Sequence, residues 1–335
     1  MEYRSLGKTG LKVSFLGFGG IPIQRVTEPE ACKIVEACVE KGINFFDSAR
    51  VYSDSERKIR QGIKGKRDKV ILATKSMART AGKMTEDIEK SLSELGTDYI
   101  DLYQCHNVSS QELLDEIMAP HGAMEALLKA QKEGKIRFIG ISAHRSEALL
   151  SAMKTGAFTT IQLPYNFIER YQEEKVLPLA HELDMGIIVM KPLAGGALSR
   201  PDLALKFLST KDVSSIIPGI ESLEQLEQNL DAVLQRKLLT ADELEYMTKE
   251  AEKIGSRFCR RCDYCQPCPQ GVKISSSFIF HGYFERYDMA RMGQDRYRQL
   301  PVKADACIEC GLCETRCPYN LPIREMLKKA HRDLG

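Results

Sequence analysis

Eight of the 11 cysteines crowd into two closely spaced runs, Cys259-x2-Cys262-x2-Cys265-x2-Cys268-Pro269 and Cys307-x2-Cys310-x2-Cys313-x3-Cys317-Pro318. Thiolates at such spacing converge on zinc or on an iron–sulfur cluster. Successive x2 spacings with a trailing proline favour iron and sulfide, with two zinc sites as the alternative. Four other residues have the types needed for proton chemistry: Asp47, Tyr52, Lys75 and His106. A phenol with a pKa of about 10 is a poor proton donor at neutrality unless a nearby ammonium stabilises its phenolate. Lys75 can supply that field, and Asp47 can hold Lys75 charged and oriented. His106 can then hydrogen-bond a carbonyl oxygen while Tyr52 protonates the developing alkoxide.

Such residues act together only if the fold brings them to one place. Short apolar runs at 15–19, 43–46, 70–74, 99–105, 136–141, 159–163, 187–190 and 214–217 alternate with amphipathic segments near 28–41, 54–64, 85–95, 122–133, 146–155, 173–184, 201–209 and 222–232. This is the pattern of βα units, with Thr85, Ser146 and Ser222 as expected helix caps. Eight strands each followed by a helix predict a closed (β/α)8 barrel, whose active residues stand at the C-terminal strand ends. Asp47, Lys75 and His106 each directly follow or end a strand, and Tyr52 lies in the loop after the second. An open doubly wound sheet is the competing architecture, but Gly17-Phe18-Gly19-Gly20 followed by Ile21-Pro22 is not the G-x-G-x-x-G turn that it usually carries.

A further helix is expected over 240–254, after which the composition changes at SRFCRRCDYC. This places a domain boundary near Ser256, with the barrel over 1–256 and a small, mainly helical cysteine-rich domain over 257–335. The chain has 335 residues, 43% hydrophobic and 28% charged. No apolar run is long enough for a membrane helix, and the opening MEYRSLGKTG has no secretory character, so the expectation is a cytoplasmic protein without a membrane contact. The formal charge of +2 hides a tail at +5, from 14 Lys/Arg against 9 Asp/Glu over 257–335. Those charges are interspersed with acids rather than massed, which argues against nucleic acid as a partner. Cys32, Cys38 and Cys105 read as small core hydrophobes, His144 as an exposed loop residue, and FIFHGYFERYDMARMGQDRYRQL as helices packed around the cysteine sites.

GINFFDSARVYSDSE, VILATKS and DLYQCHN together resemble the catalytic segments of the aldo-keto reductases. RSLGKTGLKVSFLGFGG is similar to that family's opening hairpin and first strand, and SSIIPGIESLEQLEQNL to its last strand and final barrel helix. The resemblance, over about residues 1–235, implies a small aldehyde or ketone substrate, NADPH or NADH as hydride source, and Asp47, Tyr52, Lys75 and His106 as the catalytic set. It also implies that Ser142 and Gln162 bind the nicotinamide carboxamide and that Asn229 lies near the adenine end. Gly20, Asp47, Met190, Pro192, Leu193, Gly195 and Gln225 complete the implied cofactor contacts. The chain departs from the family at Ala143, where Asn is usual, and at Met190, where an aromatic residue usually stacks on the nicotinamide. The exit of the last strand offers Glu221 and Gln225 where a Lys or Arg commonly meets the 2′-phosphate.

The second cysteine run has the spacing of bacterial ferredoxins, and the tail resembles a two-cluster [4Fe-4S] module. That resemblance implies crossed ligation, with Cys259, Cys262, Cys265 and Cys317 on one cluster and Cys307, Cys310, Cys313 and Cys268 on the other. The first run departs by one residue before its fourth cysteine. Hydride transfer itself needs no cluster, and nothing in the sequence reads as a flavin site to convert one-electron into two-electron steps. The clusters are therefore expected to be structural or to meet a redox partner protein. The alternative to a carbonyl reductase is a nicotinamide-binding redox sensor or an electron-transfer subunit.

Overall fold

The computed structural model describes residues 1–335 except 235–237, 256, 262–263, 287–288 and 318. The expected boundary at Ser256, the ligand Cys262 and the trailing Pro318 lie outside the described residues. Two compact units are formed, one by Met1–Pro192 with Pro201–Leu238, the other by Leu193–Arg200 with Leu239–Gly335.

The first unit opens with a hairpin of β1 (Tyr3–Ser5) and β2 (Lys12–Ser14). Then follow β3 (Phe18–Gly19), α1 (Glu28–Glu40), β4 (Phe45–Asp47), α2 (Ser55–Gly62), β5 (Ile71–Ser76), α3 (Ala81–Leu95), β6 (Ile100–Cys105), α4 (Gln111–Met118) and α5 (Ala123–Lys132). The remainder comprises β7 (Ile136–Ser142), α6 (Ser146–Lys154), β8 (Thr160–Pro164), α7 (Val176–Glu182), β9 (Gly186–Met190), α8 (Pro201–Ser209), β10 (Ser215–Ile217) and α9 (Leu223–Leu234). The eight strands from β3 to β10 pair in parallel in chain order. Bridges Leu16↔Ile216 and Gly19↔Gly219 join the ends, making the nearly closed barrel that the alternation predicted.

Strand alternation explains how the barrel positions polar groups. Phe45, Ala73, Leu102, Ile188 and Ile217 form one apolar cluster with Leu6, Leu11 and Val13 of the hairpin. Two residues further along the same strands, and so on the same face, stand Asp47, Lys75, Gln104 and Met190. An apolar plug thus underlies a polar layer at the C-terminal end.

Local capping differs from expectation at two helices. Thr85 does not open α3; the helix starts a turn earlier, and the Thr85 hydroxyl donates to the Ala81 carbonyl within it. Ser146 is the first residue of α6 rather than its cap, which is Arg145. Ser222 does cap α9, its Oγ accepting from Gln225 N at 3.1 Å. Thr27 and Glu30 form a reciprocal capping box on α1, and Ser110 caps α4, a helix absent from the sequence reading.

The second unit contains α10 (Ala241–Gly255), α11 (Ile274–Arg286), α12 (Ala290–Arg298), α13 (Leu312–Thr315) and α14 (Ile323–Leu334). Phe278, Tyr297, Leu321, Ile323, Leu327 and Leu334 form its core together with Cys265 and Cys317. The aromatic and basic stretch is therefore helical packing, as its composition predicted. No helix among the described residues is long and apolar enough to cross a membrane.

Candidate active site and thiol recess

Asp47 ends β4 and Lys75 lies near the end of β5; both are almost fully buried, at 2% and 1% exposure. Lys75 Nζ donates to Asp47 Oδ2 at 2.5 Å and to the Ser48 carbonyl at 2.7 Å. Two amides reach the same carboxylate: Gln104 Nε2 donates to Asp47 Oδ1 at 3.2 Å, and Gln162 Nε2 to Asp47 Oδ2 at 3.5 Å. Burial pushes the Asp47 carboxyl up and the Lys75 ammonium down, and their mutual contact opposes both shifts.

Tyr52 and His106 are half-buried above this pair. Lys75 Nζ lies 5.1 Å from the Tyr52 ring centroid, and the Tyr52 and His106 rings meet edge-on at 5.9 Å. The loop carrying His106 is held by Arg79, whose guanidinium donates to the His106 carbonyl at 2.7 Å and to that of Asn107 at 3.3 Å. Behind Lys75, the buried Glu56 of α2 accepts from Thr74 Oγ1 at 2.7 Å and is ion-paired with Arg50. The arrangement gathers a phenol, a buried ammonium–carboxylate pair and an imidazole in one place. Sequence reasoning missed Gln104, although its position two residues before His106 on an alternating strand was the available signal.

The residues expected to meet a nicotinamide are also adjacent. Ser142 and Gln162 are register partners on β7 and β8, and Met190 pairs with Pro164 and Ile217. Ser142 Oγ accepts from Asn107 N at 3.0 Å, and Ala143 N donates to the Gln162 carbonyl at 3.1 Å. At Gly20 a Cβ would fall 2.8 Å from the Asp47 carbonyl oxygen, so only glycine lets the chain pass this close to the site. Gln225 and Glu221 are hydrogen-bonded to one another, and Glu221 Oε2 is ion-paired with Arg25 at 2.5 Å. Asn229 is buried on α9. Pro192 ends the first segment of the first unit, while Leu193 and Gly195 belong to the second, where the Gly195 carbonyl accepts from Arg286 Nε at 3.3 Å.

Cys38 and Cys105 are buried and Cys32 half-buried; burial pushes the Cys105 thiol to about 12. His144 is half-buried rather than exposed, its carbonyl accepting from the Tyr171 hydroxyl at 3.1 Å. In the second unit Cys268, Cys307, Cys310 and Cys313 line one recess, floored by Ile274 and Leu327. Its loop bends at Gly311 (φ +76°) and is pinned to α14 by Arg324–Glu314 and Lys328–Glu309 ion pairs at 2.8 and 2.7 Å. Four soft donors around one recess suit a cluster of several irons. Cys265 and Cys317 are buried together in the core, and Cys259 Sγ accepts from Arg261 N at 3.4 Å.

Comparison with known proteins fits this geometry. The aldo/keto reductase family matches residues 15–202, and a 4Fe-4S dicluster domain matches residues 258–322, which implies iron–sulfur clusters rather than zinc. The chain is 29% identical to the L-galactose dehydrogenase of Arabidopsis thaliana, over 72% of this chain and 91% of that protein. It is 34% identical to the aldo-keto reductase YhdN of Bacillus subtilis, over 59% and 64% respectively. The solved holo form of the aldo-keto reductase AKR11C1 from Bacillus halodurans superposes with a TM-score of 0.66 at 29% identity, covering 75% of this chain and 96% of that one.

Proposed function

Since the chain belongs to the aldo-keto reductase family and carries a 4Fe-4S dicluster domain, we propose that it reduces an aldehyde or ketone with NADH or NADPH, using Tyr52 as the proton donor. The observation that carries this reading is the Lys75 ammonium, bonded to the Asp47 carboxylate at 2.5 Å and lying over the Tyr52 ring at 5.1 Å. A bound nicotinamide supplies the two electrons as hydride to the carbonyl carbon. The residues of the chain do the rest. His106 donates to the carbonyl oxygen and orients it; the Lys75 field stabilises the Tyr52 phenolate, so the phenol proton passes to the oxygen as its π electrons localise there. Solvent then reprotonates Tyr52. Ser142 and Gln162, side by side on adjacent strands, would hold the carboxamide.

For the second unit we assign the cysteines in crossed fashion, Cys259, Cys262, Cys265 and Cys317 to one cluster and Cys268, Cys307, Cys310 and Cys313 to the other. The shared recess of the last four supports this assignment. Nothing in the hydride chemistry consumes a cluster electron, which favours a structural role over a relay.

The deciding experiment is turnover of a panel of aldehydes, ketones and aldoses by the cluster-loaded protein with each coenzyme, beside the Tyr52→Phe variant. Reduction by the native chain and a loss of at least about a hundredfold in kcat for the variant are expected. Coenzyme binding without oxidation across the panel would instead favour a redox sensor, and undiminished kcat in the variant would overturn the acid assignment.

A further inference from the structure

Gln104 is fully buried on β6, in register with Lys75 on one neighbouring strand and Gly140 on the other. Its Nε2 is shared between Asp47 Oδ1 at 3.2 Å and Gln162 Oε1 at 2.8 Å. Its Oε1 is buried and has no hydrogen-bond partner, and the same is true of Thr160 Oγ1. Both side chains border Gly140, where a Cβ would lie 2.3 Å from Thr160 Oγ1 and 3.1 Å from Gln104 Cγ. A buried amide with an unpaired acceptor costs about 1–3 kcal/mol. Packing alone would be better served by an aliphatic side chain, such as that of Leu102 one step below on the same strand. The use of this amide must lie in the bonds that its Nε2 does make, to Asp47 and to the Gln162 amide that itself reaches Asp47.

We propose that Gln104 is a positioning residue for the proton-transfer step: its N–H keeps Asp47 ionised and turned toward Lys75, so that a charged ammonium faces Tyr52. The inference rests on the reading of Tyr52 as the acid. The surrounding charges leave this role open. Asp47 meets Lys75 from β5 and only amides from β6 and β8. Lys75 meets Asp47 and, from α2, Glu56, which Arg50 already pairs. Tyr52 meets Lys75 and His106. Withdrawing the Gln104 donor destabilises the carboxylate, favours transfer of the Lys75 proton onto it and so removes the positive field from the phenol. The Tyr52 pKa then rises.

The test is an ultraviolet phenolate titration of the cluster-loaded protein, taken as the difference between each background and its Tyr52→Phe counterpart, which isolates Tyr52 without requiring turnover. In Gln104→Leu the Tyr52 pKa should rise by about one pH unit, and kcat should fall with coenzyme KM unchanged. Gln104→Glu supplies a second arm, since a neutral carboxylic acid donates the same bond and an ionised one cannot. That variant should behave like the native chain at the acid end and lose rate as pH rises. It also covers the case in which Gln104→Leu does not fold. Unchanged Tyr52 titration in Gln104→Leu, or a Gln104→Glu profile parallel to the native one, overturns the proposal. A shifted phenolate in a chain that reduces no carbonyl would leave Gln104 in place and sink the enzymatic reading, whereas turnover with no shift would do the reverse.

Discussion

Lys75 Nζ stands 2.5 Å from Asp47 Oδ2 and 5.1 Å from the centre of the Tyr52 ring, in a barrel layer that is almost closed to water. Both charges of the pair are buried, and their mutual attraction is strong only while both are present. Lys75→Met should therefore lower folding stability by about 3–5 kcal/mol, because it strands a buried carboxylate. The Asp47→Asn/Lys75→Met double variant should regain most of that loss. Denaturant midpoints check this. A double variant no more stable than Lys75→Met would mean that the two charges are not coupled.

Arg25 is engaged by Glu221 at the exit of β10, beside Gln225. If this is where the adenosine end of the coenzyme lies, the carboxylate repels a 2′-phosphate and occupies the cation beside it. Glu221→Ala should improve KM for NADPH relative to NADH by about tenfold, the worth of one charge-assisted hydrogen bond. Equal effects on both coenzymes would place the phosphate elsewhere.

Cys268 lines a recess with Cys307, Cys310 and Cys313, although about 38 residues separate it from them in the chain. Crossed ligation then makes Cys268→Ala and Cys313→Ala lesions of the same cluster. Each should remove about half of the iron and of the visible absorbance, and the double variant no more than either. Additive loss in the double variant would show that the two cysteines serve different clusters.

Glu173 offers a pH dependence that does not involve the Asp47–Lys75 pair. Partial burial would raise its pKa, but donors from Arg170, Tyr165 and Lys211 outweigh that and hold it down at about 2. A carboxylate with a depressed folded-state pKa contributes stability that is complete above its unfolded pKa near 4.5 and lost as pH falls toward about 2. Because solvent screens the group, the contribution is about 1 kcal/mol. Urea unfolding of Glu173→Gln should show a shallower loss of stability than the native chain between about pH 5 and 2, and parallel curves would contradict the assignment.

The legible part of this protein was local. Eight apolar runs predicted eight barrel strands because strand periodicity is written in neighbouring residues, and Asp47, Lys75 and His106 were found because each sits where such a run stops. The helix starts at α3 and α6 were less legible: a Thr or Ser near a helix signals a cap only if the backbone turns there, and the first helical hydrogen bonds go to the Thr80 and Arg145 carbonyls instead. α4 escaped notice because Gln111–Met118 is short and its single cap, Ser110, resembles many loop serines.

Residue types and their order along the chain thus determined the barrel, marked Asp47, Tyr52, Lys75 and His106 as candidates and set out the eight thiols, since strand runs, their ends and cysteine spacings are read from neighbouring residues. Only the tertiary structure decided that Gln104 and Gln162 share the Asp47 carboxylate and that Arg25 is tied to Glu221, and only it shows the recess in which Cys268 meets the second run of cysteines, as the ferredoxin resemblance implied. The physical reason is common to all three. Hydrogen bonds, ion pairs and ligand recesses act over a few ångströms, and which distant segments come that close is set by strand register, barrel closure and helix packing rather than by separation along the chain.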